Sequence, residues 1–182
     1  MDMGQNFAGV ARIRVNGPAG QRVALRYGEA VHPDGRLNYL TTTAGQIKEI
    51  WNLQGGPGAP KTAWQEDVYF LKGKGVEEWA PQFTFHGFRY IEITGWPGRP
   101  TLNAIEGLRL NSDLPSAGEF SCSNAMFNRL QDVIQWTFRS NVFSVQSDCP
   151  AREKMGYGAD IVVTAEAFLY NYNMAQFYRE TG

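Results

Sequence analysis

The stretch NSDLPSAGEFSCSN, residues 111–124, decides how the chain folds, because the spacing of apolar residues changes across it. Upstream, Val10–Val15 (VARIRV) alternates apolar with polar and stops at the turn-forming NGPAGQ. Arg22–Tyr27 (RVALRY) alternates again before HPDGR. A period of two closed by Gly, Pro, Asn and Asp is the pattern of antiparallel strands. Further short apolar runs follow at IKEIWNL (47–53), DVYFLKG (67–73), FTFHGFRYIEITG (83–95) and LNAIEGLRL (102–110), with GGPGAP (55–60) as a loop. Such strands without intervening helices predict an antiparallel β-sandwich or jelly roll. Downstream, Met126, Phe127, Leu130, Val133, Ile134 and Phe138 recur at helical intervals, with Ser123 placed to cap them. Ile161, Ala165, Phe168, Leu169 and Tyr172 form a second helical stripe. The predicted fold class is therefore mainly β with a helical C-terminal part: a sandwich over 1–116, then helices over 117–182.

Trp136, Phe143, Tyr170, Tyr172, Phe177 and Tyr178 surround this helix pair. Two helices cannot bury so aromatic a segment on both faces, so the helical part is expected to be incomplete. Either the sequence is a fragment or the partner is another chain, including a second copy of this one.

The whole of the 182-residue chain is 43% hydrophobic and carries 17 basic against 18 acidic side chains. That suits one domain or two small ones and gives no electrostatic reason to expect a nucleic acid or membrane partner. No run approaches the ~18–20 apolar residues of a membrane span. The N-terminal MDMGQNFAG has no basic-then-apolar signal pattern, which leaves a cytoplasmic location open, or a periplasmic or secreted one if a signal peptide precedes residue 1. Cys122 and Cys149 make neither a disulfide framework nor a zinc motif and are expected to be buried free thiols. No metal or cofactor signature is present.

Between the helical stripes lies SDCPAREKMGYGAD (147–160), which crowds Asp148, Arg152, Glu153, Lys154 and Asp160 around a proline and two glycines. Gly156 and Gly158 favour a loop running into a helix start, with Asp160 at or near the cap. Three carboxylates beside two cations suit a polyhydroxylated ligand, with Tyr157 as an apolar platform, and a carboxyl held protonated could act as a general acid. The plainer alternative pairs Arg152 with Asp148 or Asp160 and leaves Asp160 as a cap. Weaker candidates are His86, more simply a packed histidine, a surface pair of Arg89 with Glu92, and DMGQN (2–6) as a turn or a ligand site through Asp2, Gln5 and Asn6. Glu29 reads as solvated.

DMGQNFAG, VALRYGE followed by PDGRL, PQFTFHGFRYIEI, and SNAMFNRL with WTFRSNVFSVQSDCPAREKMGY and a later Asp run in order along nearly the whole chain. Together they resemble bacterial α-L-rhamnosidases of glycoside hydrolase family 78. The resemblance implies a β-sandwich packed on an (α/α)6 barrel that hydrolyses terminal α-L-rhamnose from glycosides with inversion, needing no cofactor or metal. It makes Glu153 the general acid, and Asp148, Arg152, Tyr157 and Asp160 the residues that hold the sugar. Two departures stand out: Tyr157 occupies the place of the family's tryptophan, and the family's general base lies on a later helix. After Asp160 the only acids are Glu166 and Glu180. The isolated chain is thus expected to be inactive, with the rest of the barrel supplied from beyond Gly182. The alternative function is a non-catalytic carbohydrate-binding or scaffolding module whose helical tail docks on another domain.

Overall fold

Alternation builds the first half. The computed structural model describes residues 1–42 and 63–181. Its longest strand is β1 (Asp2–Asn16), followed by β2 (Arg22–Gly28), β3 (Glu66–Phe70), β4 (Val76–Trp79), β5 (His86–Thr94) and β6 (Ile105–Arg109). The pairings among them are antiparallel. One edge of β1 meets β5 through Phe7↔Phe88 and Ala8↔Gly87, and further along meets β4 through Ile13↔Trp79. The other edge meets β6 from Gly9↔Arg109 to Ile13↔Ile105. β5 continues to β2, and β2 to β3.

These strands send side chains to one cluster: Phe7, Ile13 and Val15 from β1, Leu25 and Tyr27 from β2, Phe88 and Ile91 from β5, Ile105 from β6, with Tyr69 of β3 and Trp79 of β4 against them. A flat sheet could not bury its strands on one another in this way, so this sheet is curled around its own core. The predicted antiparallel β part followed by helices is what the chain forms. The refinement is that hydrogen bonds join β1 through β6 into one curled sheet, in which β1 pairs with β4, β5 and β6. Each fully buried Leu, Ile or Phe contributes ~1.5–3 kcal/mol to holding it. Gly9 lets β6 approach, since a Cβ there would lie 2.0 Å from the Leu108 carbonyl oxygen.

Several local expectations change. β4 went unread, because VEEW carries two acids in four residues; Glu77 points inward and accepts hydrogen bonds from Tyr69 Oη at 2.7 Å and from the Lys72 and Gly73 amides at 3.0 and 2.9 Å. These hold its carboxyl below the ordinary range, the Tyr69 hydroxyl most of all. DMGQN is the start of β1 and holds an irregularity of its own, where Gly4 N donates to Asp2 Oδ1 at 2.8 Å and the register shifts before Phe7; Asp2 also accepts from Arg89 at 2.9 and 3.0 Å, and Asn6 donates to Glu29 at 2.9 Å. Arg89 therefore pairs with Asp2, while Glu92 accepts from the Tyr39 hydroxyl. The segments IKEIWNL and GGPGAP lie outside the described residues.

The helical half begins at α1 (Ala125–Ser140). Its cap is Asn124, whose side chain accepts from Met126 N at 2.9 Å, rather than the expected Ser123, which sits one residue too early. A hairpin of β7 (Val142–Phe143) and β8 (Val145–Gln146) leads through a loop to α2 (Gly158–Asn171) and α3 (Ala175–Thr181). The linker bonds to this half: Ser112 N donates to Val142 O at 2.8 Å, and Asn173 N to Pro115 O at 2.8 Å. Phe138, Val142, Phe168, Tyr172, Met174 and Phe177 form a second core. Phe138 and Phe168 stack with centroids 4.0 Å apart. The remaining stripe is not covered: Met126, Phe127, Leu130 and Val133 of α1 are exposed, as are Val162 and Val163 of α2 at 77% and 78%. α1 lies against β1, where Ser140 Oγ accepts from Ala8 N at 3.3 Å and Ala8 and Val10 are buried on the face away from the strand core's Phe7 and Ala11. β1 is thus enclosed on both faces over Phe7–Ala11.

Candidate active site

The loop that joins β8 to α2 carries the charged residues singled out in the sequence, and its shape follows from a few short-range bonds. Asp148 N donates to Met155 O, and Met155 N to Asp148 Oδ1, both at 3.0 Å, closing the two ends on each other. Inside the closure the Glu153 amide donates to Cys149 Sγ at 3.2 Å. Lys154 takes up a left-handed backbone (φ 56°), which turns its side chain away from that of Glu153. Buried Gln146 donates to Asp160 O at 3.1 Å and Thr164 Oγ1 at 2.6 Å, fixing the first turn of α2 beside the loop.

The loop rests on the strand half through β5. Pro150 and the buried Ala151 sit on Gly87, where an added Cβ would lie 2.9 Å from Pro150 Cγ and 3.0 Å from Ala151 N. Only glycine leaves room for the loop to approach this closely. Lys154 Nζ donates to Phe85 O at 2.6 Å and stands 4.7 Å from the Phe85 ring centroid. Burial pushes this ammonium below its ordinary value, against the pull of Asp67 and Cys149. Beneath lies a buried polar group: His86 Nε2 meets Asp67 Oδ2 at 2.9 Å and stacks on Tyr27 at 4.3 Å, while Gln65 exchanges two hydrogen bonds with the Gly87 backbone. His86 is packed and hydrogen-bonded, as the simpler reading had it.

Of the five candidate residues, Glu153 and Tyr157 meet directly, Tyr157 Oη donating to Glu153 Oε2 at 2.7 Å. That bond holds the Tyr157 hydroxyl above its ordinary value. Both side chains are exposed. Asp148 spends one oxygen on the loop closure. Asp160 lies in the first turn of α2, where a carboxylate favours the helix dipole, but the capping position belongs to Tyr157 without any side-chain cap bond. Arg152 is exposed and, among the described residues, pairs with neither Asp148 nor Asp160. Of the plainer alternative, the Arg152 pairing is not what forms, while Asp160 does lie at the start of the helix. The free thiols are Cys122, exposed rather than buried, and Cys149, half-buried. The residues that sequence reasoning passed over are supporting ones, Gly87, Phe85 and Gln146. A glycine between aromatics in FHGF was the visible sign of a close approach.

Residues 1–111 match the bacterial α-L-rhamnosidase concanavalin-like domain, and residues 115–181 match the six-hairpin glycosidase domain of bacterial α-L-rhamnosidases. The chain belongs to the bacterial α-L-rhamnosidases of glycoside hydrolase family 78. Among its relatives, an α-L-rhamnosidase of Streptomyces avermitilis is 40% identical over 178 residues, 97% of this chain and 16% of that protein. The solved α-L-rhamnosidase of Dictyoglumus thermophilum superposes with a TM-score of 0.85 at 39% identity over 98% of this chain and 18% of its own. The Streptomyces avermitilis structure, solved in complex with L-rhamnose, gives 0.84 at 38% identity, over 98% of this chain and 16% of its own. This family member thus spans under a fifth of the length of these relatives.

Proposed function

We propose that this chain is the β-sandwich domain (1–116) and the opening helices (117–182) of an inverting α-L-rhamnosidase, and that the 148–160 loop forms one wall of its active site. Glu153 donates its proton to the departing glycosidic oxygen. Asp148, Arg152, Tyr157 and Asp160 hold the hydroxyls and one face of a terminal α-L-rhamnose. A carboxylate from outside this chain activates the attacking water on the opposite face of the ring. Inversion requires roughly 6.5–9.5 Å between the two carboxyls, so that a water fits between them.

One observation carries the reading: Glu153 is an exposed carboxyl already bonded to Tyr157, on a loop fastened to the sheet at Gly87 and Phe85, beside an arginine left unpaired among the described residues. Neither later acid is bonded toward this carboxyl. Glu166 accepts from Tyr170 and Glu180 from Gln176, each one helical turn away on an exposed surface.

The test is hydrolysis of an aryl α-L-rhamnoside by the chain as given, by the protein extended to its relatives' length, and by Glu153→Gln in both. The expected result is an inactive short chain and an active long one. In the long one the substitution removes turnover, by ~10²–10⁴-fold for lost general acid catalysis, and leaves L-rhamnose binding in place. NMR of the first-released sugar should show the inverted anomer. A long protein that keeps its full activity after Glu153→Gln would sink the assignment.

A further inference from the structure

Of the loop's two cations, Arg152 is exposed and Lys154 turns its charge away from solvent. The Lys154 ammonium is bonded to a backbone oxygen on another element, above an aromatic ring and within the field of Asp67, whose own carboxylate is committed to His86. Its left-handed backbone places consecutive side chains on opposite sides: Glu153 outward with Tyr157, Lys154 inward onto β5. Burying an ammonium is costly unless it is compensated, so a loop that needed only to be closed would not require one here; Asp148 and Met155 already close it.

We infer that Lys154 is a positioning residue for the Glu153 carboxyl, holding the loop at a fixed height on β5 so that the acid meets the glycosidic oxygen. This rests on the reading of Glu153 as the general acid. Two further features support it. Gly87 removes the side chain that would lift the loop, and the neighbouring Ala151 is buried at the same contact. The loop is therefore held at two points on the strand half, and Lys154 is the point adjacent in sequence to the acid.

A misplaced acid has a signature that a loosened sugar site lacks. A rhamnoside with a good leaving group, such as a dinitrophenyl, departs with little protonation, whereas an alkyl rhamnoside needs the acid fully. In the protein extended to its relatives' length, Lys154→Met should lower kcat/KM for the alkyl rhamnoside by about tenfold or more, in kcat rather than KM, and leave the dinitrophenyl rhamnoside within about twofold. Lys154→Arg keeps the charge but changes the donor's reach, and should show the same selectivity at smaller amplitude. It stands in where the methionine variant does not fold. Equal losses on both substrates, or none on either, overturn the positioning role. Glu153→Gln is run beside them. If it lowers both substrates alike, the acid assignment has failed and the inference falls with it; if it is selective and the Lys154 variants are not, the positioning role alone has failed.

Discussion

The strand half closes the apolar face of its sheet into a core, while the helical half leaves much of its apolar stripe exposed. Phe88, Tyr27, Leu25 and Ile13 are fully buried inside the curled sheet, while Met126, Leu130, Val133, Val162 and Val163 stand exposed on α1 and α2. Both halves are patterned equally clearly in the sequence. Periodicity fixes which face of an element is apolar, and it is silent on whether anything in the same chain covers that face. The strands supply their own cover because a sheet can curl onto itself, whereas a helix needs a neighbour. The helical half has one small core, around Phe138 and Phe168, and a stripe left over.

That contrast can be broken most forcefully at the sheet's centre. Phe88 touches the rings of Phe7 and Tyr27, each with centroids 4.7 Å away. Phe88→Ala should cost about 3–5 kcal/mol in urea unfolding, and Leu130→Ala in the same chain less than about 0.5 kcal/mol. Comparable losses would mean that the exposed stripe is covered in solution. Next comes the junction: Gly87→Val forces Pro150 and Ala151 off β5, at about 1–3 kcal/mol. Hydrogen exchange should quicken at Met155 and Glu153 while β1 and β2 stay protected.

Glu77 sharpens the comparison by pH. Its carboxyl is held below the ordinary value, so its contribution is present above the usual carboxylate range and is lost as pH falls through the lowered one. The thermal midpoint of Glu77→Gln should therefore lie below that of the unaltered chain at neutral pH, with the gap closing in acid; a gap constant with pH would contradict this. The most local effect belongs to the helical half. Asn124→Ala removes the α1 cap, costs about 1 kcal/mol, and should show as faster exchange at Met126 with no change in the strands.

The strands at 10–15 and 22–27 and both helices were legible because the spacing of their apolar residues matches the period of the element that forms. β4 was not, since the inward acid Glu77 breaks the alternation and only its partners, the Tyr69 hydroxyl and the 72–73 turn, explain it. The charged loop was visible as a cluster of residue types, and the resemblance supplied roles for them. What the sequence could not convey was where the loop stands. That depends on Gly87 and Phe85, far away in the chain, which no local pattern connects to Glu153. The departure at Tyr157 likewise gains a meaning only in three dimensions, where its hydroxyl reaches the acid.

The loop's two footholds on the strand half bear on how such enzymes can be cut and recombined. The family's two matched regions meet between residues 111 and 115, which looks like a natural seam for exchanging one half between relatives. A chimaera joined there would carry the 148–160 loop on one parent and its footing on the other. Its success would turn on whether the donor strand offers a bare glycine and a free carbonyl at the heights of Gly87 and Phe85, more than on the join itself.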